Sequence, residues 1–309
     1  MITVFGSVNL DLVARVERLP QPGETLAGRA FAMLPGGKGA NQALAAQRAG
    51  AEVKLIAIVG DDEFAALALA QLEADGVDLA AVRRVATPTG VALIHVDAHG
   101  ENAITVIAGA NGFAKAAAIA DDLLHAGTTL LLQLEVPLIE VLAAAARARS
   151  RGARVVLNAA PIQALPEALL ATLDVLIVNE HEAAALAATL ALPATPDEFA
   201  AALYRRFGCS TVVTLGGEGA FAVTDGRLLA VPAPTVKVID STGAGDAFCG
   251  SLAAALDRGT AWPRALAEGI AGGALACTAP GAQPALPRAP AIAALAAEVE
   301  RRVVVSVVD

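Results

Sequence analysis

Asp240-Ser-Thr-Gly-Ala-Gly-Asp-Ala-Phe-Cys-Gly250 lies between a β-branched run at residues 235–239 and a helical run at 247–256. Strand, Gly-rich turn and helix in that order form the unit from which a parallel sheet is wound. Gly243 and Gly245 carry no Cβ, so main-chain N–H groups there can approach a ligand closely. The start of the helix offers unpaired N–H groups and the positive end of the helix dipole, and both suit phosphate charge. Asp246 falls in the first turn. A carboxylate beside an anion hole can take a proton from an attacking hydroxyl. An ordinary helix start with an Asp cap would use the same residue types. The segment is not the dinucleotide fingerprint, because its third Gly comes too late.

The same alternation runs through the rest of the chain. Residues 2–8, 53–59, 128–134, 154–157, 175–178 and 211–215 are short apolar runs. Most precede helical stretches, such as the one that Asp61-Asp62-Glu63 opens and Gly76 ends, and residues 40–49 are helical in composition. Apolar strands separated by helices predict an α/β fold with a parallel sheet covered on both faces. Two segments break the pattern: 12–35, with the turn Pro20-Gln-Pro-Gly23, and 82–107, with alternating runs joined by Asp97-Ala-His-Gly100. Both read as antiparallel hairpins inserted into the α/β plan, and each borders a Gly-rich motif, which makes them candidate lid strands. No repeat or linker divides the chain, so residues 1–309 are expected to form one body with this lid. A helix is expected at 289–302, and the apolar tail 303–309 is expected to pack on the body.

Hydrophobic residues make up 56% and charged residues 17%, the balance of a globular chain. A chain of 309 residues buries ~75% of its unfolded surface. With only 3% aromatics, the core falls to Ala, Val, Leu and Ile. A net charge of -9 argues against nucleic acid and anionic membrane surfaces as partners. An anionic substrate therefore needs local help from amides, a helix end or a metal. Cys209, Cys249 and Cys277 are odd in number and have no ligand spacing, as expected of reduced thiols in a cytoplasmic protein. The start, Met1-Ile-Thr-Val-Phe-Gly-Ser7, has no basic segment and reads as a first strand, not a signal peptide. No apolar stretch is long enough to span a membrane.

Two more segments carry polar groups next to predicted turns. Pro35-Gly-Gly-Lys-Gly-Ala-Asn41-Gln-Ala43 leads into a helix, but Lys38 is followed by Gly39, so it is not a Walker loop. Asn41 offers both a donor and an acceptor, as recognition of sugar hydroxyls requires. Asn9 and Asp11 share one face at the end of the first strand, where turn-forming residues are the plainer alternative.

Gly36-Gly-Lys-Gly-Ala-Asn41 and the 240–250 segment stand in the order of the two signature regions of the ribokinase-like (PfkB) carbohydrate kinases. Val8-Asn-Leu-Asp11, Gly109-Ala-Asn111, Gln133-Leu-Glu135, Asn158-Ala-Ala-Pro161, Asn179-Glu-His-Glu182 and Gly281-Ala-Gln-Pro284 add to the match. The chain resembles that family from about residue 2 to about residue 287. The resemblance implies a three-layer sandwich with a mostly parallel central sheet and a small inserted β lid. It implies an ATP-dependent kinase acting on the primary (O5) hydroxyl of a pentose such as ribose, and a lid-mediated homodimer. It places Asn9, Asp11, Gly37, Lys38, Asn41 and Glu135 at the sugar. Asp246 is the implied general base, with the amides of Gly243, Ala244 and Gly245 as anion hole. Asn179 and Glu182 are implied around Mg²⁺ and phosphate, and Thr214, Gly216, Gly217 and Gly219 at the nucleotide. Asp240, Thr242, Ala276, Ala279 and Gly281 match the ring that binds an activating K⁺.

The chain departs from the family at two positions. Ala285 stands where ribose kinases of this family often place Ser, which removes one cation contact. Ile270 stands where Asn or His often neighbours the nucleotide. The alternatives are a kinase of deoxyribose, fructose or a nucleoside such as adenosine, a non-catalytic sugar sensor, and an oxidoreductase. A nucleoside would need an aromatic floor, and the lid segments offer only Phe31. The missing dinucleotide fingerprint disfavours the oxidoreductase.

Overall fold

The computed structural model describes residues 1–308. The chain opens with β1 (Ile2–Phe5), β2 (Asn9–Arg15) and β3 (Ala30–Gly36), then enters α1 (Lys38–Arg48). β4 (Val53–Ile56) and β5 (Ile58–Gly60) lead to α2 (Glu63–Ala74), which Asp62 caps by accepting the Ala65 N–H. β6 (Arg83–Val85), β7 (Gly90–Val96) and β8 (Asn102–Ile107) follow. Strands then alternate with helices: β9 (Thr129–Leu132), α3 (Leu138–Ser150), β10 (Arg154–Asn158), α4 (Glu167–Leu170), β11 (Val175–Asn179), α5 (Glu180–Leu190), α6 (Pro196–Phe207) and β12 (Ser210–Thr214). The hairpin β13 (Ala220–Thr224) and β14 (Arg227–Val231) precedes α7 (Ala244–Asp257), α8 (Trp262–Ala276), α9 (Ala282–Ala285), α10 (Ala289–Glu300) and β15 (Val304–Val307).

Nine strands form the main sheet in the order β15-β14-β13-β12-β11-β10-β9-β1-β4. The strands from β12 to β4 are parallel, and β13, β14 and β15 are antiparallel additions at one edge. Successive side chains of a strand point to opposite faces, and both faces here are apolar. In β1, Ile2 and Val4 join the core beneath α1, α7, α8 and α10, while Phe5 joins the core beneath α3, α5 and α6. The result is the three-layer α/β sandwich.

A second sheet, ordered β3-β2-β7-β8, is built from the two segments that break the α/β pattern. Only residues 6–8 separate β1 from β2, so this sheet starts at the C-terminal end of β1. Residues 83–85 do not join it; they pair in parallel with β5.

Some sequence expectations are corrected. Residues 235–239 form no strand, because β14 is already flanked by β13 and by the tail strand β15. Instead Ile239 and Asp240 both donate to the Cys277 carbonyl. The run 53–59 is two strands, broken at Ala57 where the chain leaves β1 for β6. The tail extends the sheet edge through Val304–Val307, and Asp309 lies outside the described residues.

The helices that follow the two Gly-rich motifs touch almost backbone to backbone. A Cβ on Gly250 of α7 would lie 2.5 Å from the Ala45 Cβ and 2.7 Å from the Ala46 nitrogen and the Gln42 oxygen of α1. Gly250→Ala should therefore push α1 from α7 and cost about 1–3 kcal/mol, the usual range for overpacking. Thermal unfolding checks this: the variant melts below the wild type, and an unchanged Tm refutes the tight contact.

Candidate active site

The main sheet changes winding direction at β1: β4 lies on one side of it and β9 on the other. Ligands of open α/β sheets bind outside the carboxyl ends of the strands at such a point. Ser7 follows β1 here, and Gln133 and Glu135 follow β9. Glu135 Oε2 accepts from Ser7 Oγ at 2.5 Å and from the Lys38 N–H at 2.9 Å, which pins the start of α1 over the two strand ends.

The Gly-rich turn ends in Gly243, the N-cap of α7 at φ 76°, with Asp246 in the first turn and only 7% exposed. Its two oxygens each accept a side-chain amide, Oδ2 from Asn41 and Oδ1 from Gln42, both at 2.9 Å. Asp246, Gly243 and Gly245 line a pocket of about 140 Å³ together with Lys38, Asn179, Glu182 and Thr214. The Ala244 N–H donates to the Ser241 carbonyl at 3.2 Å, and Gly243 and Gly245 line the pocket.

Lys38, expected at the sugar, lines this pocket together with Glu182 and Thr214. Asp246 raises the Lys38 pKa most strongly, against the opposing effect of burial, and Glu135 and Glu182 add to the rise. Asn179 and Glu182 form a reciprocal capping box at the start of α5: each side chain accepts the other's main-chain N–H at 2.8 Å. Burial raises the Glu182 pKa.

Asn9 and Asp11 enter the site from β2. Asn9 Oδ1 accepts from Asn111 Nδ2 at 2.7 Å, and Asn111 itself bonds both the N–H and the carbonyl of Val8. Asp11 is pushed up to about 7, by burial first and then by the charges of Glu135 and Asp246. Asp11 and Lys38 thus both lie within electrostatic reach of Glu135 and Asp246 at the switch-point crevice. Asn41 bonds Asp246, and Asn9 stands two residues before Asp11 on β2.

Other expected residues stand apart from the pocket. Gly216 and Gly217 sit on a turn beyond Thr214. Gly219 has a packing reason of its own, since a Cβ there would meet the Val231 oxygen at 2.1 Å. Asp240 ties two loops together: Oδ1 accepts from the N–H and hydroxyl of Thr242, and Oδ2 from the Gly281 N–H. Ala276 ends α8, and its carbonyl has no helical partner to accept because Pro280, four residues on, lacks an N–H. Ala285 is buried in α9, and Ile270 is buried in the core. Motif reading passed over Gln42, although it directly follows Asn41 and is a wholly buried polar side chain.

Comparison with known proteins agrees with this geometry. The pfkB family carbohydrate kinase profile matches residues 1–289. The ribokinase of Haemophilus influenzae is 36% identical over 290 residues, covering 93% of this chain and 95% of its own. The deoxyribokinase of Salmonella typhi is 38% identical over 261 residues, covering 82% and 84%. The structure of Arabidopsis thaliana ribokinase complexed with ribose and ATP superposes with a TM-score of 0.87 at 30% identity, covering 96% of this chain and 98% of that one. The profile spans almost the whole chain and the relatives are covered nearly end to end: the chain is a member of the pfkB family of carbohydrate kinases.

Proposed function

We propose that the enzyme transfers the γ-phosphoryl of ATP to the O5 hydroxyl of ribose, giving ribose 5-phosphate and ADP. The observation that carries this reading is the placement of Asp246 between two sets of groups. On one side lie the hydroxyl-reading side chains Asn9, Asp11 and Asn41, with Gly37 and Glu135 shaping the crevice. On the other lies the pocket of Gly243, Gly245, Lys38, Glu182 and Thr214. The relatives bring ribose and deoxyribose forward as substrates, and the two sugars differ by one hydroxyl. A site built to bond that hydroxyl rejects the sugar lacking it.

Phosphoryl transfer has a loose transition state, so positioning and charge stabilisation dominate. The sugar hydroxyl gives its proton to Asp246 as its oxygen bonds the γ-phosphorus and the bond to ADP breaks. The N-terminus of α7 and the Lys38 ammonium face the charge on the transferred group. Among the described residues no cluster of three His, Cys, Asp or Glu could hold a metal by itself. Glu182, with Asn179 beside it, fits a Mg²⁺ that keeps most of its waters and is held chiefly by nucleotide phosphates. Such an ion neutralises phosphate charge when bound. The nucleotide lies along Thr214 and the turn of Gly216 and Gly217. The Asp240 carboxylate, with Thr242 and the carbonyls of Ala276, Ala279 and Gly281, offers the all-oxygen surroundings a K⁺ needs, one contact short because of Ala285.

The second sheet serves as a lid that excludes water when sugar is bound. It exposes apolar side chains on both faces, Phe31 on one and Ile104 and Val106 on the other, and we read the sheet also as the contact of a homodimer. No described helix is long and apolar enough to cross a membrane, and the three cysteines are free. We read the enzyme as cytoplasmic.

Asp246→Asn should lower kcat by at least ~10², the lower range for a lost general base, while sugar still binds. A variant with near wild-type kcat in steady-state assays on ribose would remove Asp246 from this role. With Asp11 at about 7, the carboxylate that accepts sugar hydroxyls is lost as pH falls through neutrality. The kcat/KM for ribose should therefore drop from pH 8 to pH 6, and Asp11→Asn should flatten that limb; a limb that survives in Asp11→Asn belongs to another group. Replacing K⁺ with a bulky organic cation should slow the wild type, and Asp240→Ala should lose that cation response. Equal wild-type rates in both salts would refute the cation site.

A further inference from the structure

We infer that Gln42 is a positioning residue for the proton acceptor: its side-chain amide holds the Asp246 carboxylate in the orientation that meets the sugar hydroxyl. The inference rests on the reading of Asp246 as that acceptor.

The direction of every amide in this region follows from one unambiguous acceptor. Asn158 Nδ2 donates to the Ile177 main-chain carbonyl at 3.3 Å. Its Oδ1 therefore faces Gln42, which must present its NH₂ there, at 3.0 Å. The second N–H of that NH₂ reaches Asp246 Oδ1 at 2.9 Å. Gln42 Oε1 is left to accept from Gln133 Nε2, at 2.7 Å. Reversing any one amide would set two donors or two acceptors face to face. The chain of amides has one consistent polarity, and it aims an N–H at the carboxylate.

Both Gln42 N–H bonds and its oxygen are thus taken by protein groups, and Gln42 and Gln133 are wholly buried. Nothing of Gln42 remains to touch sugar or nucleotide, so any effect on the reaction passes through Asp246. Stability alone does not account for the arrangement. Gln133 Oε1 has no hydrogen-bond partner, and a buried orphan acceptor is costly. That oxygen points at Gly6, where an added Cβ would come within 2.2 Å of it. An apolar pair would fill the same space without that cost, but it would leave Oδ1 of Asp246 free to turn.

The test is Gln42→Met, which keeps length and bulk and removes the donors. Its kcat should fall at least ~10-fold, the worth of one hydrogen bond to a charged group. The KM values for ribose and ATP should stay within about 2-fold, since no substrate contact is lost. In the Asp246→Asn background the same substitution should change the residual kcat by no more than about 2-fold, because no carboxylate remains to orient. A wild-type kcat in Gln42→Met overturns the inference. So does an equal fall in both backgrounds, or a rise in both KM values, which would mark a general loss of site structure. Should Gln42→Met not fold, Gln133→Met removes the donor that braces the Gln42 oxygen and is held to the same kcat, KM and double-mutant criteria. Full activity in Asp246→Asn alone would instead refute the proton-acceptor reading, a result separate from the others.

Discussion

The close contact of α1 with α7 is the constraint from which the site follows. It is possible only because Gly250 has no side chain and the facing positions of α1 are Ala45 and Ala46. Asp246 lies one turn before Gly250 on α7, and Asn41 and Gln42 lie one turn before Ala45 and Ala46 on α1. Bringing the helices to backbone distance at one level brings an amide pair onto a carboxylate at the next. The start of α1 is pinned to the sheet by Glu135, which bonds both Ser7 and the Lys38 N–H. The sheet thus fixes α1, α1 fixes α7, and α7 presents its first turn to the pocket.

The electrostatics of this region answer a problem set by composition. A chain of net charge -9 must receive a highly anionic nucleotide, and it gathers Asp11, Glu135 and Asp246 around the crevice. The Lys38 pKa is raised chiefly by Asp246 and also by Glu135 and Glu182, so the ammonium stays charged although half-buried. Together with the positive end of α7, it makes a small region of favourable potential inside an acidic protein. The buried ion pair of Arg48 with Asp75 lies at the other end of α1, where Arg48 also donates to the Gln283 and Leu286 carbonyls. Gln283 in turn donates to Asn41 Oδ1, so α9 is tied to the same amide that holds Asp246.

What could be read from the sequence was whatever depends on local order: strand, Gly-rich turn and helix, and the apolar runs of the parallel sheet. Residues 235–239 misled because β-branched composition says nothing about whether a sheet edge is free, and the tail strand had already taken it. The family resemblance assigns Lys38 to the sugar, and in the fold it lines the pocket beside Glu182 and Thr214. Gln42 had no signal of its own beside Asn41, since nothing local shows that both amides reach the same carboxylate, 204 residues on from Gln42 in sequence. The resemblance gives Gly219 only as a nucleotide contact, and the nearby Val231 carbonyl, which leaves no room for a Cβ there, cannot be seen in the sequence.

Asp11 shows what such a site costs the fold. Its carboxyl titrates at about 7 in the folded protein against 3.8 for the free side chain. The unfolded chain therefore releases this proton at lower pH than the folded one does. Between those values the folded state holds more protons, so stability falls as pH rises from acid toward neutrality, and the full penalty is present above pH 7. On the proposed reading, a sugar hydroxyl donating to Asp11 would offset part of that penalty, because it would supply a bond that burial took away.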